Sequence, residues 1–202
     1  MNDTSAWIET FRGHRFHLLD PRPEEIEIED IAHALSMQVR FTGHVKKFYS
    51  VAEHCYQVSL LMRANDSEKL WGLLHDASEA YITDLSRPVK YMTPIGPPYF
   101  EIEEGIMRAV AEKFGLVWPV PSNVKLADNI LLWTEKEQLM SGVSWDNEEI
   151  KDWDTEKQRA AGYINEAPGY KDVNRASKDI HLACYRPETI EKLFLQKFYD
   201  LA

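Results

Sequence analysis

The sequence predicts an all-α fold, and three observations carry that prediction. Apolar residues recur at helical spacing in successive stretches between Ile28 and Leu132, and again from Ile190 to Phe198. Helix-start and helix-stop residues flank several of these stretches, among them Ser50, Gly115, Pro121 and Pro187. No segment shows the period-two alternation of a half-buried strand.

The elements follow in order. After a Pro- and charge-containing entry, Ile28, Ile31, Ala32 and Leu35 define a first helix that fades near Gln38. Arg40 to Ser50 reads as a basic and aromatic loop punctuated by Gly43. Ser50 and Glu53 stand at capping-box spacing before a second helix carrying Val51, Cys55, Val58, Leu61 and Met62. Ser67 is a candidate cap for a third helix through Leu70, Trp71, Leu73, Leu74 and Ala77. Leu85 to Tyr99 is rich in proline and reads as a loop. A fourth helix runs from Phe100 to Phe114 with Gly115 past its end, and a fifth follows Pro121. Residues 141–170 read as an irregular acidic excursion packed by Trp145 and Trp153, and a last helix starts at Pro187.

The 202 residues fit a single domain, with a core over about 28–140 and a C-terminal extension over 141–202. A formal charge of −10 argues against broad nucleic-acid binding, which needs a cationic surface. An anionic small molecule then needs a local positive centre, such as a bound metal ion. Cys55 and Cys184 form neither a metal-ligand spacing nor a disulfide framework, so two free thiols in a reducing cytosol are expected. The opening MNDTSAWIETF has neither a basic start nor an apolar run, and no stretch is apolar enough to span a membrane. A cytoplasmic location is expected.

Three predicted helices carry metal-ligand residue types. His54 lies at the start of the second, His75 and Asp76 on the third, and Asp128 on the fifth. Adjacent helical residues point about 100° apart, so one ion over that face can take both His75 and Asp76. Two imidazoles and two carboxylates suit a divalent transition metal such as Zn, Mn, Co or Fe, with Mg a further candidate. An ionisable pair inside the apolar stretch LLHDASEAY needs partners or a cation, because burying such groups alone is costly. Glu79, four residues beyond His75, falls on the same face and can orient a water or accept its proton.

YSVAEH, LLHDASEAYITDLSRPVK and KLADNILLWTE together resemble the HD-domain phosphohydrolases, whose core pattern is His…His-Asp…Asp. The resemblance runs from about Asp30 to Met140 and is to the branch containing 5′-deoxynucleotidases and phage deoxyadenosine-triphosphate triphosphohydrolases. It implies an HD-type helical bundle with His54, His75, Asp76 and Asp128 as metal ligands and Glu79 as the catalytic carboxylate. It further implies Asp84 at the sugar 3′-hydroxyl, and Arg40 and Lys90 on phosphate. The residue after Arg40 is often Trp in the nucleotidases and is Phe41 here. Asp84 reads equally as a turn cap, and His44 as either a substrate contact or loop packing. Lys46 and Lys47 read as a solvated loop, and His14, His17, His33 and His181 as structural.

The activity that the resemblance implies is hydrolysis of a deoxynucleoside 5′-phosphate, with a dATP-like triphosphate preferred on the resemblance together with the cations Arg40, His44 and Lys90. A monophosphatase, a phosphodiesterase for cyclic or alarmone nucleotides, and a non-catalytic nucleotide sensor are the alternatives. The expected partners are a small nucleotide and further copies of the chain, with no nucleic acid and no membrane.

Overall fold

The computed structural model describes residues 6–62, 64–142 and 180–202, which are mostly helical as the sequence predicts. The excursion expected around Trp145 and Trp153 lies outside the described residues. After α1 (Ile28–Met37), α2 (Val51–Leu61) forms the hub. It packs against α1, α3 (Asp66–Leu74), α7 (Ser122–Leu139) and the C-terminal helix α8 (Pro187–Leu201). Val51, Ala52, Cys55 and Val58 of α2 are fully buried, as are Ile31 and Leu35 of α1 and Ile190 and Phe194 of α8.

The caps explain where helices begin and end. Ser50 Oγ accepts the Glu53 amide at 3.1 Å, the expected half of a capping box. The other half is absent, because the Glu53 carboxylate turns away to the chain before α8. Asn65, rather than Ser67, caps α3, its side chain accepting the Glu68 amide at 2.9 Å. Gly115, at φ +65°, ends α6 (Gly96–Lys113) in a Schellman turn in which Leu116 N–H donates to the Ala111 carbonyl at 2.8 Å.

Two expectations are corrected. A small antiparallel hairpin, β1 (Trp7–Glu9) with β2 (Arg15–His17), pairs Ile8 with Phe16 across its centre. Three-residue strands are too short to display alternation, which is why the sequence hid them. The proline-rich stretch is not simply a loop, since it holds α5 (Arg87–Met92) and the start of α6 (Gly96–Lys113). Pro88, Pro97 and Pro98 fall in first turns, where the missing N–H costs nothing, and Pro94 lies in the turn between the two helices.

The junction between α5 and α6 is tight. A β-carbon on Gly96 would stand 1.8 Å from the Lys90 carbonyl oxygen, which is backbone and cannot swing aside. Gly96→Ala is therefore expected to destabilise the chain by about 1–3 kcal/mol, as overpacking does. Urea unfolding should show a lowered midpoint at an unchanged slope.

Candidate metal centre and its cleft

The chemistry-bearing turn does not lie inside a continuous helix, as expected, but at a helix end. α3 stops at Leu74, and residues 75–78 continue in tighter i to i+3 hydrogen bonds (Ala77 N to Leu74 O, Glu79 N to Asp76 O) before the one-turn helix α4 (Glu79–Ile82). The His75 ring supports this end, Nδ1 donating to the Gly72 carbonyl at 2.8 Å. A carbonyl only accepts, so this bond places the proton of the neutral ring on Nδ1 and leaves Nε2 as a lone pair.

His54 presents the same arrangement from α2. Its Nδ1 donates to Glu135 Oε1 at 2.6 Å, and its Nε2 faces His75 Nε2 at 3.2 Å. Asp76 Oδ2 lies 3.3 Å from His75 Nε2 and 3.7 Å from His54 Nε2, and Asp128 Oδ1 lies 3.3 Å from His54 Nε2. Ligand atoms of His54, His75 and Asp76 all fall within 4.8 Å of one another, so this group could hold a metal ion. Asp128 stands beside it.

The surroundings pull the two rings in opposite directions. Burial and the Arg40 charge push the His54 pKa down, yet Glu135 and hydrogen bonds to Asp128 and Glu135 outweigh them and hold it up at about 9. His75 moves the other way: burial lowers it, and the neighbouring His54 adds to that. A donor set of two ring nitrogens with their far sides already hydrogen-bonded fits a divalent metal.

Arg40 is almost fully buried next to this group. Its Nε donates to Glu135 Oε2 at 3.1 Å, Nη2 lies at an ion-pair distance of 3.1 Å from the same oxygen, and Nη1 stands 3.7 Å from Asp76. Burial opposes its charge, but Glu135 and Asp76 more than restore it. Arg40 opens a turn in which Phe41 and Thr42 adopt left-handed φ of 54° and 53°, a strained backbone for residues with side chains. The Arg40 guanidinium sits 5.4 Å over the Phe41 ring.

These residues line a cleft of about 820 Å³, together with Asp76, Glu79, Asp84, Lys90, Asp128 and the exposed His44. Glu79 is buried, and its Oε2 has no hydrogen-bond partner among the described residues. Burial raises its pKa well above the usual carboxylate range, with Asp76 and Asp84 adding to the shift and Lys90 and Arg40 opposing it. Lys90 does not hang free in a loop: on α5 it donates to Glu103 at 2.9 Å and stands 3.7 Å from Glu79. The Gln38 side chain brackets α4, its Nε2 donating to the Glu79 carbonyl at 2.8 Å and its Oε1 accepting the Asp84 amide at 3.2 Å.

The sequence reading missed Glu135, Glu103, Arg87 and Lys125. Glu135 had a signal, since it lies seven residues after Asp128, two turns along the same face of α7. Lys125 also had one, three residues before Asp128, whose Oδ2 it holds at 2.6 Å. Arg87 reaches that oxygen at 3.7 Å from α5, and Glu103 meets Lys90 from α6; these long-range pairs have no local pattern.

The fold and this group of side chains define a helical protein with a candidate metal centre next to a cleft that Asp76 and Asp128 line. The chain belongs to the family of YfdR, an uncharacterized protein of Escherichia coli K12. YfdR is 39% identical over 134 residues, covering 66% of this chain and 72% of YfdR. It is likewise similar to the uncharacterized protein RCAP_rcc00048 of Rhodobacter capsulatus, 41% identical over 145 residues that cover 66% of this chain and 73% of that protein. No protein-family model matches the chain. Among the described residues, no helix is long and apolar enough to cross a membrane.

Proposed function

We propose that the chain is an HD-type, metal-dependent phosphohydrolase acting on deoxynucleoside 5′-phosphates, with a dATP-like triphosphate as the preferred substrate. The observation that carries this reading is the pair of facing ring nitrogens at 3.2 Å, flanked by Asp76 and Asp128 and opening on a cleft that Glu79 also lines. His54, His75, Asp76 and Asp128 would hold the ion. A divalent metal there supplies Lewis-acid polarisation of a phosphoryl oxygen and an acidified water.

The chain's own residues account for the rest. Glu79 has one free oxygen and a raised pKa, which suits it to take a proton at Oε2 as water oxygen bonds to phosphorus and the phosphorus–oxygen bond to the leaving group breaks. Arg40, fixed by Glu135, presents fixed positive charge to the phosphate. Asp84 lines the same cleft, with its amide tied to Gln38, which supports a role for its carboxylate in accepting a hydrogen bond from a sugar hydroxyl.

One observation favours the monophosphatase as a second reading. Arg40 and Lys90, counted above as free cations, are engaged by Glu135 and Glu103. Arg87 and Lys125 also line the cleft and both face Asp128, so they are the further cations on which the triphosphate reading draws, engaged in the same way. Incubating the purified chain with dNTPs, dNMPs, cyclic nucleotides and alarmones in the presence of Mn, Co, Zn, Fe or Mg decides between them. Triphosphate release from dATP is the expected result, and phosphate release from dNMPs alone would select the second reading. Binding without turnover of any member would leave a sensor.

A further inference from the structure

Glu53 stands beside His54 on α2 but points elsewhere, as neighbours about 100° apart on a helix must. It is fully buried, and its carboxylate accepts the Cys184 amide at 2.9 Å and the Tyr185 amide at 2.7 Å, with the Ala183 amide also bonded to it. Cys184 takes a left-handed φ of 55° there. That conformation turns successive N–H groups toward one side, forming a cradle for an anion, which is why a residue with a side chain tolerates it.

The same stretch of chain is held a second time from α7. Gln138 donates to the Ile180 carbonyl at 2.6 Å and accepts the Leu182 amide at 3.3 Å. Between these two attachments Leu182 is buried in the core. Gln138 lies three residues beyond Glu135, the acceptor of the His54 ring. Residues 180–185 therefore bridge α2 and α7, next to the His54–Glu135 hydrogen bond that joins the same two helices.

We infer that Glu53 and Gln138 are positioning residues, which use residues 180–185 as a clasp holding α2 and α7 at the separation that keeps His54 on Glu135. The inference rests on reading the His54 group as the functional centre. The His54–Glu135 bond spans the two helices that the clasp joins, and Asp128 comes from the same face of α7. Loosening the clasp lets α7 drift, and the 2.6 Å bond is the first contact to lengthen. Arg40, which shares Glu135, drifts with it.

The test uses the metal-free full chain, labelled with nitrogen-15 histidine. The His54 Nδ1 proton, donated to a buried carboxylate, should give a far-downfield resonance, assigned by its loss in His54→Asn. In Glu53→Ala and in Gln138→Ala it should move upfield, with exchange with water about tenfold faster. Gln138 is exposed, so its variant folds even if the Glu53 variant suffers. Glu53→Gln, which keeps an acceptor oxygen, should restore part of the shift. Ile190→Val, a loss of packing in α8 away from the clasp, should leave the resonance in place. An unshifted resonance in both alanine variants overturns the inference.

Cobalt(II) titration of the same proteins separates this from the metal reading. Wild-type chain should bind one cobalt, and the clasp variants should bind it about tenfold more weakly with an altered visible spectrum. If wild type takes no cobalt while the proton behaves as expected, the metal reading fails and the clasp stands. Wild-type cobalt affinity and spectrum in both alanine variants would count against the clasp.

Discussion

Glu79→Gln is expected to lower turnover of the accepted nucleotide by about 10²–10⁴-fold, the usual worth of a positioned acid–base group. The substitution keeps the shape of the side chain and removes its capacity to take a proton. Glu79 Oε2 has no other hydrogen-bond partner among the described residues, so the change disturbs little else in the site. The expected signature is therefore a fall in kcat with metal content and nucleotide affinity retained. Elemental analysis and a binding titration on the same preparation check both halves. Unchanged turnover would remove Glu79 from the mechanism, and loss of metal would make it a ligand instead.

Glu135→Ala should have the largest effect on stability. Glu135 is fully buried and serves two partners, the His54 ring through Oε1 and the Arg40 guanidinium through Oε2. Its removal leaves Arg40 buried with Asp76 only at 3.7 Å, and breaking a buried pair in this way costs about 3–5 kcal/mol. The His54 ring also loses the acceptor that fixes its tautomer, which should weaken metal binding by about 10–100-fold. Urea unfolding of the metal-free chain measures the first effect, and competitive metal titration the second. Glu135→Gln keeps a hydrogen-bond acceptor for one partner and should fall between wild type and alanine on both measures. A variant that bound metal as tightly as wild type would show that Glu135 serves Arg40 alone.

Much of this site was legible because its residues sit at fixed offsets within single helices. His54 after the Ser50 cap, Glu79 four residues from His75, and Asp128 among apolar neighbours each left a local trace. The break at Leu74 left none, since residues 75–78 keep helix-like spacing and change only their hydrogen-bond partners from i+4 to i+3. Proline misled in the opposite direction. Pro88, Pro97 and Pro98 read as breakers, yet each falls in the opening turn of a helix. The pairs Arg40–Glu135 and Lys90–Glu103 were invisible because their partners are 95 and 13 residues apart, so only the tertiary fold joins them. The role of Glu53 was half visible: spacing gave its backbone a place in a cap, but nothing local shows that its carboxylate serves a segment 131 residues downstream.

Gln38 has a mechanical consequence for which ligands the cleft admits. One side chain secures the Glu79 carbonyl and the Asp84 amide, and it belongs to the residue that ends α1, two before Arg40. Glu79, Asp84 and Arg40 are therefore tied to the end of α1 and form one jaw of the cleft. The opposite jaw is compliant, since α5 buries none of its residues and leans chiefly on α6. Ligands of different bulk would be accommodated by yielding on the α5 side, while Arg40, Glu79 and Asp84 keep their mutual spacing.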